Sequence, residues 1–278
     1  MSVVRRIAKQ FSFVGLVSIV VIVSAFLWSL TGLIGEPLYK IPTDYTLQSP
    51  NPMFWFGTDD LGIDLYEQVK HGFAISFLIG MSVAVVAGLG GSIVGTIAGY
   101  YGGHVDKFVT AVSDLFMVIP QLPLLIVLGA TLGPSVVNII LVISLIAWTM
   151  SARIIRAKVQ ELMLLEYVQV AQSYGAGFWH IFIFHLIPSL MPLVFVQMIR
   201  LLSRAIIMES SLAFLGLGDP LSKTLGAILN RAINFSGIYF TPYWSWWIVV
   251  PATSILLLVM AFAFISKDAE RILNRKLQ

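Results

Sequence analysis

Long uninterrupted apolar runs are the feature of this sequence that most constrains its fold. Several of them exceed the roughly 18–20 residues that an α-helix needs to cross the hydrocarbon core of a bilayer. Of the 278 residues, 58% are hydrophobic and only 11% are charged, whereas a typical soluble domain carries about 25% charged residues. A membrane β-barrel would show short alternating segments instead of continuous runs. The sequence therefore predicts an all-α, polytopic membrane protein built as a helix bundle.

Six apolar runs are predicted to span the membrane. The first follows Arg5, Arg6 and Lys9, and it is longer than the roughly 7–15 apolar residues of a signal peptide, so we interpret it as a retained anchor. Most lysines and arginines near the span ends fall on the side that holds both termini, which predicts cytoplasmic N and C termini. The predicted spans are 11–34, 73–99, 108–130, 135–155, 184–208 and 247–266.

The polar loop at 35–72 is rich in proline and acidic residues. Asp59 or Asp60 is a candidate N-cap for a short amphipathic helix that would run to about Lys70. A solvated connector without such a helix is the alternative. The orientation above places this loop outside the cell.

Two spans carry residues that affect helix geometry. Gly91, Gly95 and Gly99 recur every four residues in the second span, so they share one helical face and permit close approach of another backbone. Pro120 and Pro123 lie in the third span, where proline removes backbone hydrogen bonds. The prolines either adjust helix packing or break the helix beside a pathway. Asp114 lies near the cytoplasmic end of this span and is a candidate ion-pair partner for a basic residue there.

Residues 156–187 separate the fourth and fifth spans and are too polar to cross the membrane. A short helical pattern at 166–171 is followed by Gly175 and Gly177, and a new amphipathic run begins near Phe178. Glycine ends helices at low cost because it tolerates positive φ. The segment predicts a helix–turn–helix at the cytoplasmic face, suited to docking into a groove on another protein. A plain interfacial hairpin is the alternative.

The same stretch resembles the EAA loop of ABC importer permeases. Glu166 opens the motif, Gly175 supplies its glycine, and the segment 185–188, His-Leu-Ile-Pro, closes it. Segments 56–62 and 98–103 resemble further elements of this family, and 209–218, ESSLAFLGLG, is very similar to a signature of its dipeptide/oligopeptide/nickel branch. The order of these matches and their separations along the chain resemble those of a C-type permease of that branch. Val170, the pair Ser173–Tyr174 and Ile187 depart from the pattern.

The resemblance implies a type I ABC importer permease fold with six transmembrane helices. It implies a cytoplasmic coupling segment at 163–178 within a permease domain at 72–266. Residues 1–71 would form the N-terminal tail, first helix and external loop, and 267–278 a cytoplasmic tail. The residues implied to couple this chain to an ATPase are Glu166, Tyr167, Ala171, Gly175 and Ala176.

The resemblance also implies a function and partners. The chain would be a permease subunit of the plasma (inner) membrane of a prokaryote. It would pair with a homologous permease, two ABC ATPases and an external solute-binding protein, and it would import di- or oligopeptides. Nickel, other metal chelates and oligosaccharides are alternative substrates.

The sequence lacks the motifs that are typical of nucleotide binding, catalysis and metal binding. There is no GxxxxGK[ST], so ATP and magnesium are expected on partner subunits and no cofactor on this chain. No catalytic set is recognisable, so an enzyme is not predicted. The histidines His71, His104, His180 and His185 are scattered, so no metal site is expected. There is no cysteine and no sign of nucleic-acid binding. A stand-alone secondary transporter is the alternative class, but no inverted repeat supports it.

Three charges in or near the fifth span need an explanation. Arg200 and Arg204 share a helical face, deep in the span or near its outer part. An intramembrane arginine is costly unless it faces protein, water or an acid. Glu209 is a candidate partner. The three residues are expected to form a structural charge network or to line a water-filled translocation pathway, unless the span ends lie elsewhere.

Overall fold

The computed structural model describes residues 12–33 and 38–277, which form a helical bundle. Residues 1–11, which include the three basic residues before the predicted anchor, residue 34 at the end of that anchor, 35–37 of the predicted loop and residue 278 lie outside the described residues. Short 3-10 turns occur at Leu38–Lys40 and Ile238–Phe240, and a single helical turn, Trp244–Trp247, precedes the last helix. The helices are α1 (Phe13–Leu30), α2 (Leu65–Tyr101), α3 (Gly103–Val118), α4 (Gln121–Leu132), α5 (Val136–Met163), α6 (Glu166–Ser173), α7 (Phe178–Phe214), α8 (Leu225–Asn234) and α9 (Val249–Leu277).

The predicted polytopic bundle is confirmed. Within the described residues, five helical segments are long and apolar enough to cross a bilayer, and α3 with α4 makes a sixth if the pair counts as one span. That third span is not one continuous helix, because α3 and α4 meet at 92°. Ile119 leaves the helical conformation with a ψ of 128°, as expected for a residue that precedes a proline. Pro120 therefore breaks the span, while Pro123 lies in the first turn of α4, where a missing N–H costs no hydrogen bond.

The second span begins earlier than predicted. Asp64 caps α2, and its carboxylate accepts a hydrogen bond from the Tyr66 N–H at 2.8 Å. The separate amphipathic helix expected from Asp59 or Asp60 to Lys70 is wrong, since 65–70 are the opening turns of α2. A helix of 37 residues is about 55 Å long. It therefore extends well beyond the hydrocarbon core of a bilayer, which is about 30 Å thick.

Close backbone contact joins α2 to α5. A Cβ atom added at Gly91 would lie 2.3 Å from the Trp148 carbonyl oxygen, and one at Gly95 would lie 2.4 Å from that of Ala152. Gly99 meets α5 in the same way one turn further on. The glycine face predicted from the spacing is therefore the contact surface of two parallel helices.

Ion pairs tie α3 to α5 near the end of the bundle that carries α6. Asp114 pairs with Arg153, as the sequence suggested for this aspartate. Asp106 pairs with Arg156, whose Nη2 lies 2.7 Å from Oδ2, and Gln160 donates a hydrogen bond to the same oxygen at 3.3 Å. We call this end of the bundle the elbow face. The opposite end, with segments 41–64 and 215–247, is called the loop face.

Candidate functional site

The elbow, residues 164–177, connects α5 to α7. The chain turns at Leu164 and Leu165, and α6 begins at Glu166 without a side-chain cap. The first N–H groups of a helix lack partners and carry partial positive charge. Glu166 places a carboxylate beside them and keeps its side chain exposed. The short helix thus starts with an acidic residue available at the surface.

Gly175 ends α6 in a Schellman motif. The N–H of Gly175 donates to the Gln172 carbonyl at 2.9 Å, and that of Ala176 donates to the Ala171 carbonyl at 3.0 Å. Gly175 has a φ of +84°, and an added Cβ would have no atom within 4 Å. Glycine is required here by the left-handed backbone conformation and not by lack of space.

A single buried side chain anchors α6. Val168 is fully buried, whereas Tyr167 is 50%, Val170 54% and Tyr174 88% exposed. The helix therefore rests on one apolar contact and presents most of its surface outward. Val168 belongs to a small apolar cluster with Ile155, Val159 and Leu162 of α5 and Ile181, Leu186, Leu190 and Val194 of α7.

Aromatic rings connect the start of α7 to the end of α2. The Phe178 ring centroid lies 4.8 Å from that of Tyr100 and 5.7 Å from that of Tyr101. The Phe182 ring stacks on Phe178 at 5.5 Å. The Val168 cluster thus attaches the elbow to α5 and α7, and these aromatic contacts attach α7 to α2.

The first turns of α7 contain a π-helical segment, Phe182–Leu186. Such segments occur frequently at functional sites. His185 lies in it, and its buried Nε2 has no hydrogen-bond partner among the described residues. The His185 ring lies 5.6 Å from the ring of Tyr167 and 5.8 Å from that of His180. His180 and His185, five residues apart on α7, thus have neighbouring rings, and His185 also neighbours Tyr167 of the elbow.

The structure brings the predicted coupling residues together on one segment. Glu166, Tyr167 and Gly175 are exposed, while Ala171 and Ala176 are half-buried at the turn. Sequence reasoning missed Val168, although an apolar residue among polar neighbours is a signal for such an anchor. The predicted fifth span and the amphipathic run that begins near Phe178 form one continuous helix, because α7 runs from Phe178 to Phe214.

Arg200 lies at the elbow-side boundary of the apolar spans. It pairs with Glu270 of α9. Two residues before Glu270, Asp268 accepts a hydrogen bond at 2.9 Å from the N–H of Ser12, the residue that caps α1. The ion pair therefore lies close to the depth at which the apolar run of α1 begins. Arg200 was expected deep in the fifth span or near its outer part, and this expectation is corrected. The helix α7 has 37 residues, and its first turns extend past this boundary on the elbow side.

Arg204 and Glu209 have separate partners. The Nη2 atom of Arg204 donates to Gln121 at 2.6 Å, directly after the break between α3 and α4. Glu209 is fully buried and accepts hydrogen bonds from the hydroxyl groups of Ser76 at 3.0 Å and Ser210 at 3.4 Å. Glu209 therefore pairs with neither arginine, because it faces α2 and the start of α8 while the arginines face α4 and α9.

An open cleft continues the exposed face of α7 beyond Arg204. It has a volume of about 410 Å³ and lies between α4, α7, α8 and α9. Ile207 and Ser211 of α7 follow Arg204 at helical spacing and line this cleft, with Leu122 and Ile126 opposite. Arg204 thus lies beside an accessible surface that the described residues leave uncovered.

Comparison with known proteins decides the family. The profile of the family described as "Binding-protein-dependent transport system inner membrane component" matches residues 91–278. The chain belongs to this family. The resemblance drawn from the motifs is confirmed, and the chain is a transmembrane permease subunit of an ABC importer with the type I fold. Membership replaces the alternative of a stand-alone secondary transporter.

Individual relatives cover most of the chain. The probable D,D-dipeptide transport system permease protein DdpC of Escherichia coli K12 is 32% identical over 83% of this chain and 76% of its own. The dipeptide transport system permease protein DppC of Bacillus subtilis is 30% identical over 99% of this chain and 85% of its own. The oligopeptide transport system permease protein OppC of Bacillus subtilis is 29% identical over 100% and 89%. These relatives are named as permease proteins of transport systems, and the family description as an inner membrane component agrees with the apolar helices described above.

Proposed function

We propose that this chain imports di- or oligopeptides across the inner membrane of a prokaryote. It would form the pathway with a homologous permease, receive peptides from an external solute-binding protein and be driven by two ATPase subunits. Relatives named for dipeptide, D,D-dipeptide and oligopeptide transport support this substrate class. ATP and magnesium would be bound by the ATPases and not by this chain.

The exposed elbow is the observation that carries the proposal. Its helix is held by the single fully buried side chain Val168, while Tyr167, Val170 and Tyr174 project outward. A surface of this kind suits insertion into a groove of a partner. The basic residues Lys107, Lys158, Lys267 and Arg271 lie on helix segments near the same face, and positive charge favours the cytoplasm. We therefore assign the elbow and both termini to the cytoplasmic side.

Coupling would be mechanical, without bond chemistry in this chain. When the ATPases close on ATP, they would displace the elbow, and the Val168 cluster would transmit the displacement to α5 and α7. Glu166 and Tyr167 would contact the ATPase, while Gly175, with Ala171 and Ala176, would fix the angle at which α6 is presented. Hydrolysis and release would return the bundle to its inward-open state.

The charges along α7 would divide between holding the bundle and lining the pathway. The Arg200–Glu270 pair would hold α7 to α9 where the apolar spans begin. Arg204, with Gln121 beside the break, would border the pathway, since its side chain is exposed next to an open cleft. Glu209 would fix the start of α8 against the bundle.

Purification of the intact assembly in mild detergent tests this function. With the binding protein present, di- or oligopeptides should stimulate ATP hydrolysis several-fold, and nickel, metal chelates and oligosaccharides should not. Stimulation by a chelate or an oligosaccharide, with no response to peptides, would reject the proposed substrate class. Absence of ATPase subunits from the purified assembly would reject the proposed partners.

A further inference from the structure

A cleft opens between the first turn of α1 and the last turns of α9 at the elbow face. Its volume is about 290 Å³. Polar and apolar side chains both contribute to its wall, so it can accommodate a ligand with a charged end and an apolar body. The lining residues are Ser12, Val14, Phe264, Lys267, Asp268 and Arg271.

The two cations of this cleft have no ion-pair partner among the described residues. Lys267 and Arg271 are both exposed. The nearest acids of α9 are already engaged: Asp268 is buried and accepts hydrogen bonds from the residue that caps α1, and Glu270 pairs with Arg200. The cleft therefore offers positive charge to a ligand.

A second, apolar cleft of about 210 Å³ lies deeper along the same two helices. Ala261, which lines it, precedes Asp268 by seven residues, or about 10 Å along the helix axis. On α9, the residues of both clefts recur at spacings of three and four and therefore share one face. The second cleft is lined by Val21, Ile22, Ala25 and Trp28 of α1, Phe56, Val69 and Phe73, and Ser254, Leu257, Leu258 and Ala261 of α9.

We propose that the seam between α1 and α9 binds one anionic phospholipid from the leaflet that meets the elbow face. Lys267 and Arg271 hold its phosphate, and an acyl chain occupies the apolar cleft. Basic residues beside membrane helices attract anionic headgroups, while the apolar cleft favours a lipid over a free anion. The bound lipid holds the peripheral helix α1 against α9.

Lipid titration of the full chain by native mass spectrometry tests the site, with phosphatidylglycerol and phosphatidylcholine as probes. The wild type should retain one phosphatidylglycerol in preference to phosphatidylcholine. A lysine or arginine near an anionic membrane surface contributes a factor of about five. The double substitution Lys267→Gln and Arg271→Gln should therefore weaken phosphatidylglycerol binding by roughly 25-fold. The matched control Lys107→Gln and Lys158→Gln removes the same charge elsewhere on the elbow face and should leave binding within about twofold.

Two further arms distinguish a lipid site from a simple anion site. Inorganic phosphate and glycerol phosphate, which lack acyl chains, should not displace the lipid at millimolar concentration. Ala25→Phe, which fills the apolar cleft, should reduce retention of the lipid although both cations remain. Displacement by free phosphate, equal loss in the control double variant, or unchanged binding after Lys267→Gln and Arg271→Gln would overturn the proposal.

Discussion

The elbow and the loop face are both built from segments that join helices, yet they are stabilised in opposite ways. The elbow has one fully buried side chain, Val168. At the loop face, Asp59 is also fully buried, and its carboxylate accepts hydrogen bonds from the N–H groups of Leu61 and Ile63 and from Gln68, each at 2.9 Å. A buried polar group is stable only when it is hydrogen-bonded. The buried carboxylate of Asp59 is thus satisfied within the loop face, while the elbow keeps most of its surface exposed.

Contacts between distant segments extend this difference. At the loop face, Arg231 pairs with Asp60 at 2.9 Å, and the indole N–H of Trp246 donates to the Thr58 carbonyl at 3.4 Å. Lys223 approaches Gln68 at 3.4 Å, and burial lowers the pKa of its ammonium group. Within the elbow, the hydrogen bonds join residues close in sequence. Substitutions at the elbow should therefore affect transport, and those at the loop face should affect stability.

The largest expected effect is that of Gly175→Val. Valine disfavours the left-handed conformation, at a cost of about 1–2 kcal/mol, so the turn would change its angle. Uptake should fall to background while the amount of protein in the membrane is unchanged. The measurement is ATP-dependent uptake of labelled peptide, normalised to permease in the membrane.

Two matched substitutions separate the turn from a general backbone effect. Gly175→Asn should retain most uptake, because asparagine tolerates this conformation. Gly237→Val imposes a similar cost at the loop face, where the backbone is left-handed with φ +83° and ψ 8° and the added Cβ also has no atom within 4 Å. It should leave uptake nearly normal. Equal loss in Gly175→Val and Gly237→Val would contradict a special role for the elbow.

A comparable loss of uptake is expected from Glu166→Arg. The exposed side chain contributes about 0.3–1 kcal/mol to its own helix through the helix dipole, so the melting temperature should change little. Reversed charge at the proposed ATPase contact should abolish coupling, and Glu166→Gln should give an intermediate value. Uptake and thermal unfolding are measured on the same preparations. Normal ATP-dependent uptake by Glu166→Arg would refute the coupling role.

Asp59→Ala should lower stability and leave transport per folded molecule largely unchanged, which is the reverse of the effect expected from the elbow variants. It leaves the buried N–H groups of Leu61 and Ile63 and the amide of Gln68 without their acceptor, at a cost of about 1–3 kcal/mol or more. Thermal unfolding in detergent should shift downward and less protein should reach the membrane. Transport per folded molecule should be largely retained. An unchanged melting temperature would argue against the loop face as a self-sufficient unit.

The smallest effect is expected at the partly exposed pair between Asp60 and Arg231. Such pairs contribute about 0–1 kcal/mol, so Asp60→Asn should alter the free energy of unfolding by less than Asp59→Ala. The exchanged pair Asp60→Arg with Arg231→Asp should recover part of any loss. A thermal shift from Asp60→Asn as large as that from Asp59→Ala would show that the two aspartates act as one network.

The sequence predicts those features that depend on local pattern. Apolar runs predict the spans, the spacing of Gly91, Gly95 and Gly99 predicts a contact face, and the glycine after 166–171 predicts the turn at Gly175. Pro120 indicates the site of the break, but the sequence does not decide between a kink and a bend of 92°. That choice depends on tertiary packing.

Features that depend on distant partners were not predictable. Arg200 meets Glu270, and Glu209 meets Ser76, across large sequence separations. The continuity of α7 was missed because the amphipathic run from Phe178 meets Pro188, which suggested that a separate span starts there, whereas a π-helical turn carries the helix through. The start of α2 at Leu65 was missed because polar residues precede its apolar run. These helices extend past the membrane, where hydropathy no longer marks their ends.

Site-specific cross-linking in the intact assembly tests the central claim most directly. The chain has no cysteine, so a single cysteine at Tyr174, which is 88% exposed, can carry a photoactivatable group. Adducts with an ATPase subunit are expected from this position, and none from Phe240, which is 95% exposed at the loop face. If Tyr174 labelled only lipid or solvent while the assembly hydrolysed ATP and transported peptide, the elbow would not be the coupling site.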